Sequence, residues 1–149
     1  MSADYTVKIE AFPREHERGD FTEMFNAHGM EVRGRPFDLA WKRYYAIEQE
    51  GRLVWVVARY ESKPVGYSCS FWYQDLHFNE RVAADDMWYV TSEHRGKGVG
   101  LKVKECGHSQ LKRFGVVKVY DAIRGSYSHP KLMKDIGFEP WGTRWIREL

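Results

Sequence analysis

Apolar positions along this chain change their period several times, and each change marks an element. Over residues 5–12 apolar and polar residues alternate, and the run stops at Pro13, the pattern of a first strand. Over residues 14–28 the spacing lengthens. Phe21, Met24, Phe25 and His28 share one helical face, with Gly29 as the expected stop. Residues 32–36 read as a basic loop. Phe37, Trp41, Tyr44, Tyr45 and Ile47 then predict a second helix over 37–50, between Pro36 and Gly51. Three strand patterns follow, over residues 53–60, 65–78 and 81–91, joined by turns at 61–64 and 79–80.

After the third of these strands the pattern returns to 3.6. Val99, Val103, Cys106, Gly107, Leu111 and Phe114 form the buried stripe of a helix over 99–114, with Lys102, Lys104, Glu105, His108 and Lys112 facing water. Residues 116–123 read as a strand. Pro130 opens a short helix that ends at Ile136 and Gly137, and residues 138–147 read as a terminal strand or hairpin. The expected order is β-α-α-β-β-β-α-β-α-β. That is an α/β (α+β) class. No repeat or linker divides it, so 1–149 reads as a single domain.

Composition narrows the picture modestly. A 149-residue chain with 43% hydrophobic and 30% charged residues can bury a real core. No apolar run reaches the roughly 18–20 residues needed to span a bilayer, and the first residues lack the basic and apolar regions of a signal peptide. The expected setting is cytoplasmic, with no membrane partner. Cys69 and Cys106 sit in a strand and a helix pattern and read as reduced core thiols. The spacing of Cys and His offers no zinc set, so no metal is expected. A net charge of +2 says little about partners.

The chemistry concentrates where the third central strand pattern runs into the long helix: Val90-Thr91-Ser92-Glu93-His94-Arg95-Gly96-Lys97-Gly98-Val99-Gly100-Leu101. Glycines on alternate positions let backbone N–H groups approach an anion, and the following helix adds its free N–H groups and the positive end of its dipole. This is a phosphate cradle. A Walker-type loop is excluded, because no Gly-Lys pair is followed by Ser or Thr to hold magnesium. A dinucleotide fingerprint is excluded too: its third glycine would fall on Leu101 or Val103.

What remains is Arg95-x-x-Gly98-x-Gly100 before a helix, which resembles motif A of the GCN5-related N-acetyltransferases (the GNAT family). The resemblance spans nearly the whole chain. Lys63-Pro64-Val65-Gly66-Tyr67 resembles the family's strand start, and Leu132-Met133-Lys134-Asp135-Ile136-Gly137-Phe138 resembles its motif B helix and Gly-Phe exit. The chain looks most like the compact bacteriophage-encoded members, for which the host cytoplasm would be the setting.

The resemblance implies the GNAT fold, a mixed, mostly antiparallel central sheet flanked by helices, and acetyl-CoA as co-substrate. It places the pyrophosphate on Arg95, Gly96, Lys97, Gly98, Val99 and Gly100. The pantetheine arm would run beside Trp88, Tyr89 and Val90, in a gap where this strand and the next splay apart. Asp86 lies four residues before Val90, roughly 13 Å along a strand, and is the expected base or amine anchor. Asp85 would face the other side as a surface residue. His77 could sit beside Asp86 across the hairpin. The tyrosine that many members use to protonate the departing thiol is replaced by Met133, so Tyr127, or Ser128 or His129, is the expected substitute. The acceptor side would be lined by Arg33, Arg35, Phe37, Trp41 and Tyr45, with the arginines suiting an anionic acceptor.

The expected activity is transfer of an acetyl group from acetyl-CoA to a primary amine of a small molecule or protein. Two other readings stay open: an acyltransferase acting on a nucleobase or nucleic acid, and a catalytically degenerate GNAT-fold binding protein. A homodimer is compatible with each.

Overall fold

The computed structural model describes residues 2–122 and 130–149. Five strands form one sheet in sequence order. They are β1 (Tyr5–Ile9), β2 (Leu53–Tyr60), β3 (Lys63–Gln74), β4 (Arg81–Val90) and β5 (Lys118–Asp121). β1 to β4 are antiparallel neighbours, and β5 joins β4 in parallel. Among the described residues the helices are α1 (Arg18–Arg33), α2 (Trp41–Gln49), α3 (Val99–Arg113) and α4 (Pro130–Asp135). This is the mixed sheet flanked by helices that the resemblance implies, in the element order that the periodicity predicts. No helix among the described residues is long and apolar enough to cross a membrane.

Two apolar clusters sit on the two faces of the sheet. On one face Val54, Val56, Ala58, Ala83 and Val90 pack with Val99, Val103 and Leu111 of α3. On the other, Trp55, Val57, Tyr67, Cys69, Met87 and Tyr89 pack with Phe21, Met24 and Phe25 of α1 and with Tyr44 and Tyr45 of α2. The second cluster is built from rings. Phe12 stacks on Tyr44 at 4.7 Å between centroids and meets Trp55 edge-on at 5.1 Å. Each such pair contributes roughly 0.5–1.5 kcal/mol beyond its area. The high aromatic content is thus used largely as core.

Several boundaries differ from the sequence expectation. α1 continues through Gly29 to Arg33 and ends at Gly34, whose φ of 70° and N–H bond to Met30 O close the helix. Gly29 is there for closeness: a Cβ would lie 2.6 Å from Arg35 O and Phe37 N, so the returning chain lies directly on the helix. That contact also explains why the second helix starts at Trp41. Residues 37–40 are spent carrying Phe37 onto His28, at 4.9 Å, and Leu39 into the aromatic cluster. β3 ends at Gln74, where Asp75 Oδ1 accepts the His77 N–H at 2.7 Å and turns the chain.

The terminal strand expected over 138–147 does not form; residues 138–149 carry no strand or helix. Pro140 has no N–H to give a ladder, and Gly142 sits at φ 153°. Trp141, Trp145, Ile146 and Leu149 are exposed, so the apolar pattern there finds no partner within the chain's described residues.

A second irregularity positions the site. In the β3–β4 register Cys69 faces Met87 and Ser70 faces Asp85, leaving Asp86 unpaired. One extra residue in one strand is a bulge, and it shifts the alternation of side chains. Before it, Ala83 and Asp85 point to the α3 face. After it, Trp88 and Val90 do. Asp86 and Met87 both point to the α1/α2 face.

Candidate active site

The sheet opens at the same place. β5 pairs with β4 only from Val82↔Lys118 to Asp85↔Asp121. Beyond that pair, among the described residues, β4 has no neighbour on this side from Asp86 to Val90. Among the described residues no strand bonds this edge of β4, and only Val90 O on it is taken, by Arg95 Nε, so a ligand chain can be laid alongside.

At the far end of this edge lies the glycine loop. Gly96 and Gly98 adopt φ of 74° and 78°, and a Cβ at either would meet nothing within 4 Å, so the space over the loop is open. Gly98 is the N-cap of α3 and no side chain caps it. The first intrahelical bond is Lys102 N–H to Gly98 O at 3.1 Å, which leaves the N–H groups of the first turn unused inside the helix. Gly100 serves a different need: a Cβ there would meet Val90 Cγ2 at 3.4 Å and Trp88 Nε1 at 3.5 Å. Trp88 Nε1 donates to Gly100 O at 3.0 Å, fixing the helix start against the strand. The Thr91 hydroxyl, where the loop begins, is buried without a partner.

The two loop cations differ. Arg95 donates through Nε to Val90 O at 2.8 Å and reaches Glu31 Oε2 at 2.6 Å, stacked over Tyr89. Its guanidinium ties the loop to β4 and α1, where the sequence suggested a phosphate contact. Lys97 lies at an open hollow beside Tyr5 and Tyr60.

Asp86 lies at the point where the strands part. Tyr44 Oη donates to its Oδ2 at 2.5 Å. Part of the residue remains exposed. The packing around its carboxyl raises its pKa above the usual carboxylate range, while the Tyr44 bond opposes the rise. Tyr44, pressed by burial and by the adjacent carboxylate, holds its own proton tightly. Sequence periodicity identifies Tyr44 only as a member of an apolar face; its hydroxyl at Asp86 needs the bulge to bring it there.

His77 does not join this group. It lies at the β3–β4 hairpin tip, 87% exposed, with Nδ1 3.5 Å from Asp75 Oδ1. The ladder closes at Gln74↔Arg81, so His77 is beyond the end of the paired strands and Asp86 five residues inside. Tyr127, Ser128 and His129 lie outside the described residues. Met133 is buried. Of the acceptor-side candidates, Trp41 takes Arg18 over its ring at 4.1 Å, and Tyr45 donates to Pro13 O at 2.6 Å. Phe37 packs on His28, so these three rings are packing groups; Arg33 and Arg35 end α1 and begin the next loop.

On the opposite face Asp85 and Lys104 overturn the sequence reading. Both are buried: the Lys104 side chain is 3% exposed, its Nζ 2.9 Å from Asp85 Oδ2 and 2.6 Å from Asp121 Oδ2. Ser70 Oγ and His108 Nε2 complete the Asp85 carboxylate at 2.5 and 2.9 Å. Burial alone would raise the Asp85 pKa; the His108 hydrogen bond and the Lys104 charge outweigh it and bring it down to about 2. Lys104 thus bridges the last paired residues of β4 and β5, lying also 4.2 Å from the Trp88 ring centroid. A signal was present: Gly100, Lys104, Gly107 and Leu111 follow one helical stripe.

The sequence profile of the acetyltransferase (GNAT) family matches residues 11–121. No curated protein matches the chain. Among solved structures, a ribosomal-protein-alanine N-acetyltransferase from Brucella melitensis biovar Abortus 2308 superposes with a TM-score of 0.74 at 19% identity, covering 97% of each chain. A glucosamine-6-phosphate N-acetyltransferase from Arabidopsis thaliana gives 0.75 at 18% identity, over 96% of this chain and 98% of that one. A protein described as a transcriptional regulator from Bacillus halodurans C-125 gives 0.77 at 15% identity, over 97% and 99%. At these identities the likeness is one of fold. With the profile spanning most of its length, this chain belongs to the acetyltransferase (GNAT) family.

Proposed function

We propose that the protein is an N-acetyltransferase that moves the acetyl group of acetyl-CoA to a primary amine. The observation that carries this reading is the continuous track formed by the glycine loop, the free β4 edge and Asp86. A pyrophosphate fits the uncapped α3 N-terminus and the open loop at Gly96 and Gly98. A pantetheine arm has two amides that can bond a strand edge, and among the described residues no strand pairs with β4 on this side from Asp86 to Val90. Acetyl-CoA supplies an activated thioester.

The protein's own contribution is at Asp86. An amine attacks only when neutral, so the ammonium proton needs an acceptor. A carboxylate with a raised pKa is a better acceptor than an ordinary one, and Tyr44 fixes its orientation. As the C–N bond forms, the C–S bond breaks and the thiolate leaves; with a thiol pKa of about 8.5 it can take its proton from water. The amine class is also supported by fold neighbours named for amine substrates, the two N-acetyltransferases above among them.

Calorimetry with acetyl-CoA and a thiol-release assay over an amine panel test the reading together. Micromolar-range binding and amine-dependent release of free thiol are expected. Gly98→Glu, which places a side chain and a negative charge at a φ of 78° over the loop, should abolish binding. Unchanged affinity in that variant removes the loop from the site.

A further inference from the structure

The α1/α2 face of the sheet is covered over β2, the middle of β3 and the later part of β4, but its aromatic cluster stops short of Phe71, Ala84 and Tyr120. These three are cross-strand neighbours in one row: Phe71↔Ala84 on β3 and β4, Ala84↔Tyr120 on β4 and β5. Alternation fixes the side they share. Val119 and Asp121 point to the α3 face, so Tyr120 points away from it. Asp85 points to the α3 face, so Ala84 and Asp86 point away from it. Phe71, Ala84 and Tyr120 are each only partly buried, so the row keeps solvent contact, whereas Val82, two residues before Ala84, is closed over.

We propose that Phe71, Ala84 and Tyr120 form the acceptor slot, and that it takes a primary amine carried on a flat aromatic ring. The inference rests on the acetyltransferase reading and names its substrate class. Strands lie about 4.8 Å apart, so the Cα atoms of Phe71 and Tyr120 are about 10 Å apart across the methyl group of Ala84. A ring lying between them would be about 5 Å from each flanking ring, inside the 4.5–7 Å range of aromatic pairs. A larger residue than alanine on the floor would fill that space. Asp86 is two residues along the same strand face, roughly 7 Å from the floor. That places a carboxylate where an ammonium one or two carbons from the ring would lie, beside the free β4 edge. The reaction is ordinary acetyl transfer: the C–N bond forms, the C–S bond breaks, and the ammonium proton passes to Asp86.

The test compares 2-phenylethylamine with 2-cyclohexylethylamine, which match in length and differ in flatness. The aromatic amine should have a kcat/KM at least tenfold higher. Ala84→Leu should raise KM for 2-phenylethylamine at least tenfold and leave acetyl-CoA affinity by calorimetry unchanged. Phe71→Leu, a milder change, should raise it several-fold. Equal kcat/KM for the two amines, or an unchanged KM in a folded Ala84→Leu protein, overturns the slot. So does turnover of other amines with none of 2-phenylethylamine. Failure to bind acetyl-CoA at all overturns the acetyltransferase reading itself, and is read before any amine is added.

Discussion

Asp85 and Asp86 are consecutive carboxylates with opposite surroundings. Asp85 is buried with three donors and has its pKa brought down to about 2; Asp86 has one donor and is pushed up. Asp86→Asn keeps the shape and removes the proton acceptor, so kcat for amine acetylation should fall roughly 10²–10⁴-fold. Calorimetry should show acetyl-CoA binding as in the parent protein; a variant that keeps full kcat excludes Asp86 as base. His28 carries a second residue-scale prediction. It is buried, stacked on Tyr89 at 4.9 Å and hydrogen-bonded to Tyr67 Oη at 2.8 Å. Burial lowers its pKa from 6.5 to about 4. The unfolded chain therefore binds this proton first on acidification, and stability falls as pH drops from about 6.5 to about 4. The loss is about 3 kcal/mol for a shift of this size. Asp86 works in the opposite sense, since a raised carboxyl pKa favours the folded state at low pH. Melting temperatures between pH 7 and pH 4 should fall in the parent and flatten in His28→Leu. An equal fall in both proteins would show that His28 is not the group responsible.

At the scale of elements, side-chain contacts set boundaries that local patterning does not. Gly29 looks like a helix stop and is a contact point. Helix propensity would favour alanine there by about 1 kcal/mol. A Cβ 2.6 Å from two backbone atoms reverses the sign, so Gly29→Ala should destabilise by roughly 1–3 kcal/mol in urea unfolding. Gly19, with nothing within 4 Å, is the control: alanine there should be neutral or stabilising. Lys104 holds β4 to β5 at their last pair. Lys104→Met leaves the buried Asp85 and the partly buried Asp121 carboxylates facing each other and should cost roughly 3–5 kcal/mol. Adding Asp121→Asn should recover part of that, since it removes one unpaired charge. If the double variant is no more stable than the single one, Lys104 is not acting as a charge bridge.

At the scale of the whole molecule, the α3 face holds the glycine loop and the α1/α2 face holds Asp86 and the row of Phe71, Ala84 and Tyr120. The β4 bulge joins them by letting one strand serve both. A ligand that bonds α3, the loop and β4 at once binds only the folded chain, so acetyl-CoA at about a hundred times its Kd should stabilise by about 2.7 kcal/mol. Differential scanning should show a rise of several degrees for a domain of this size. An unchanged Tm at saturating acetyl-CoA would argue against the track.

The order of elements through α4 and the glycine loop were legible in the amino-acid sequence, because period and turn chemistry are local properties of neighbouring residues. Asp86 is put forward from its distance to the loop along a strand and from the family resemblance. Its Tyr44 partner, the exclusion of His77, the committed guanidinium of Arg95 and the buried Lys104 were not legible. The three contacts join residues 17 or more positions apart, the position of His77 follows from where the ladder ends, and a one-residue bulge reverses the facing of every β4 side chain after it. Local pattern determined the strands and helices of this protein; only the register between strands decided which charges are buried and which carboxylate meets the opening in the sheet.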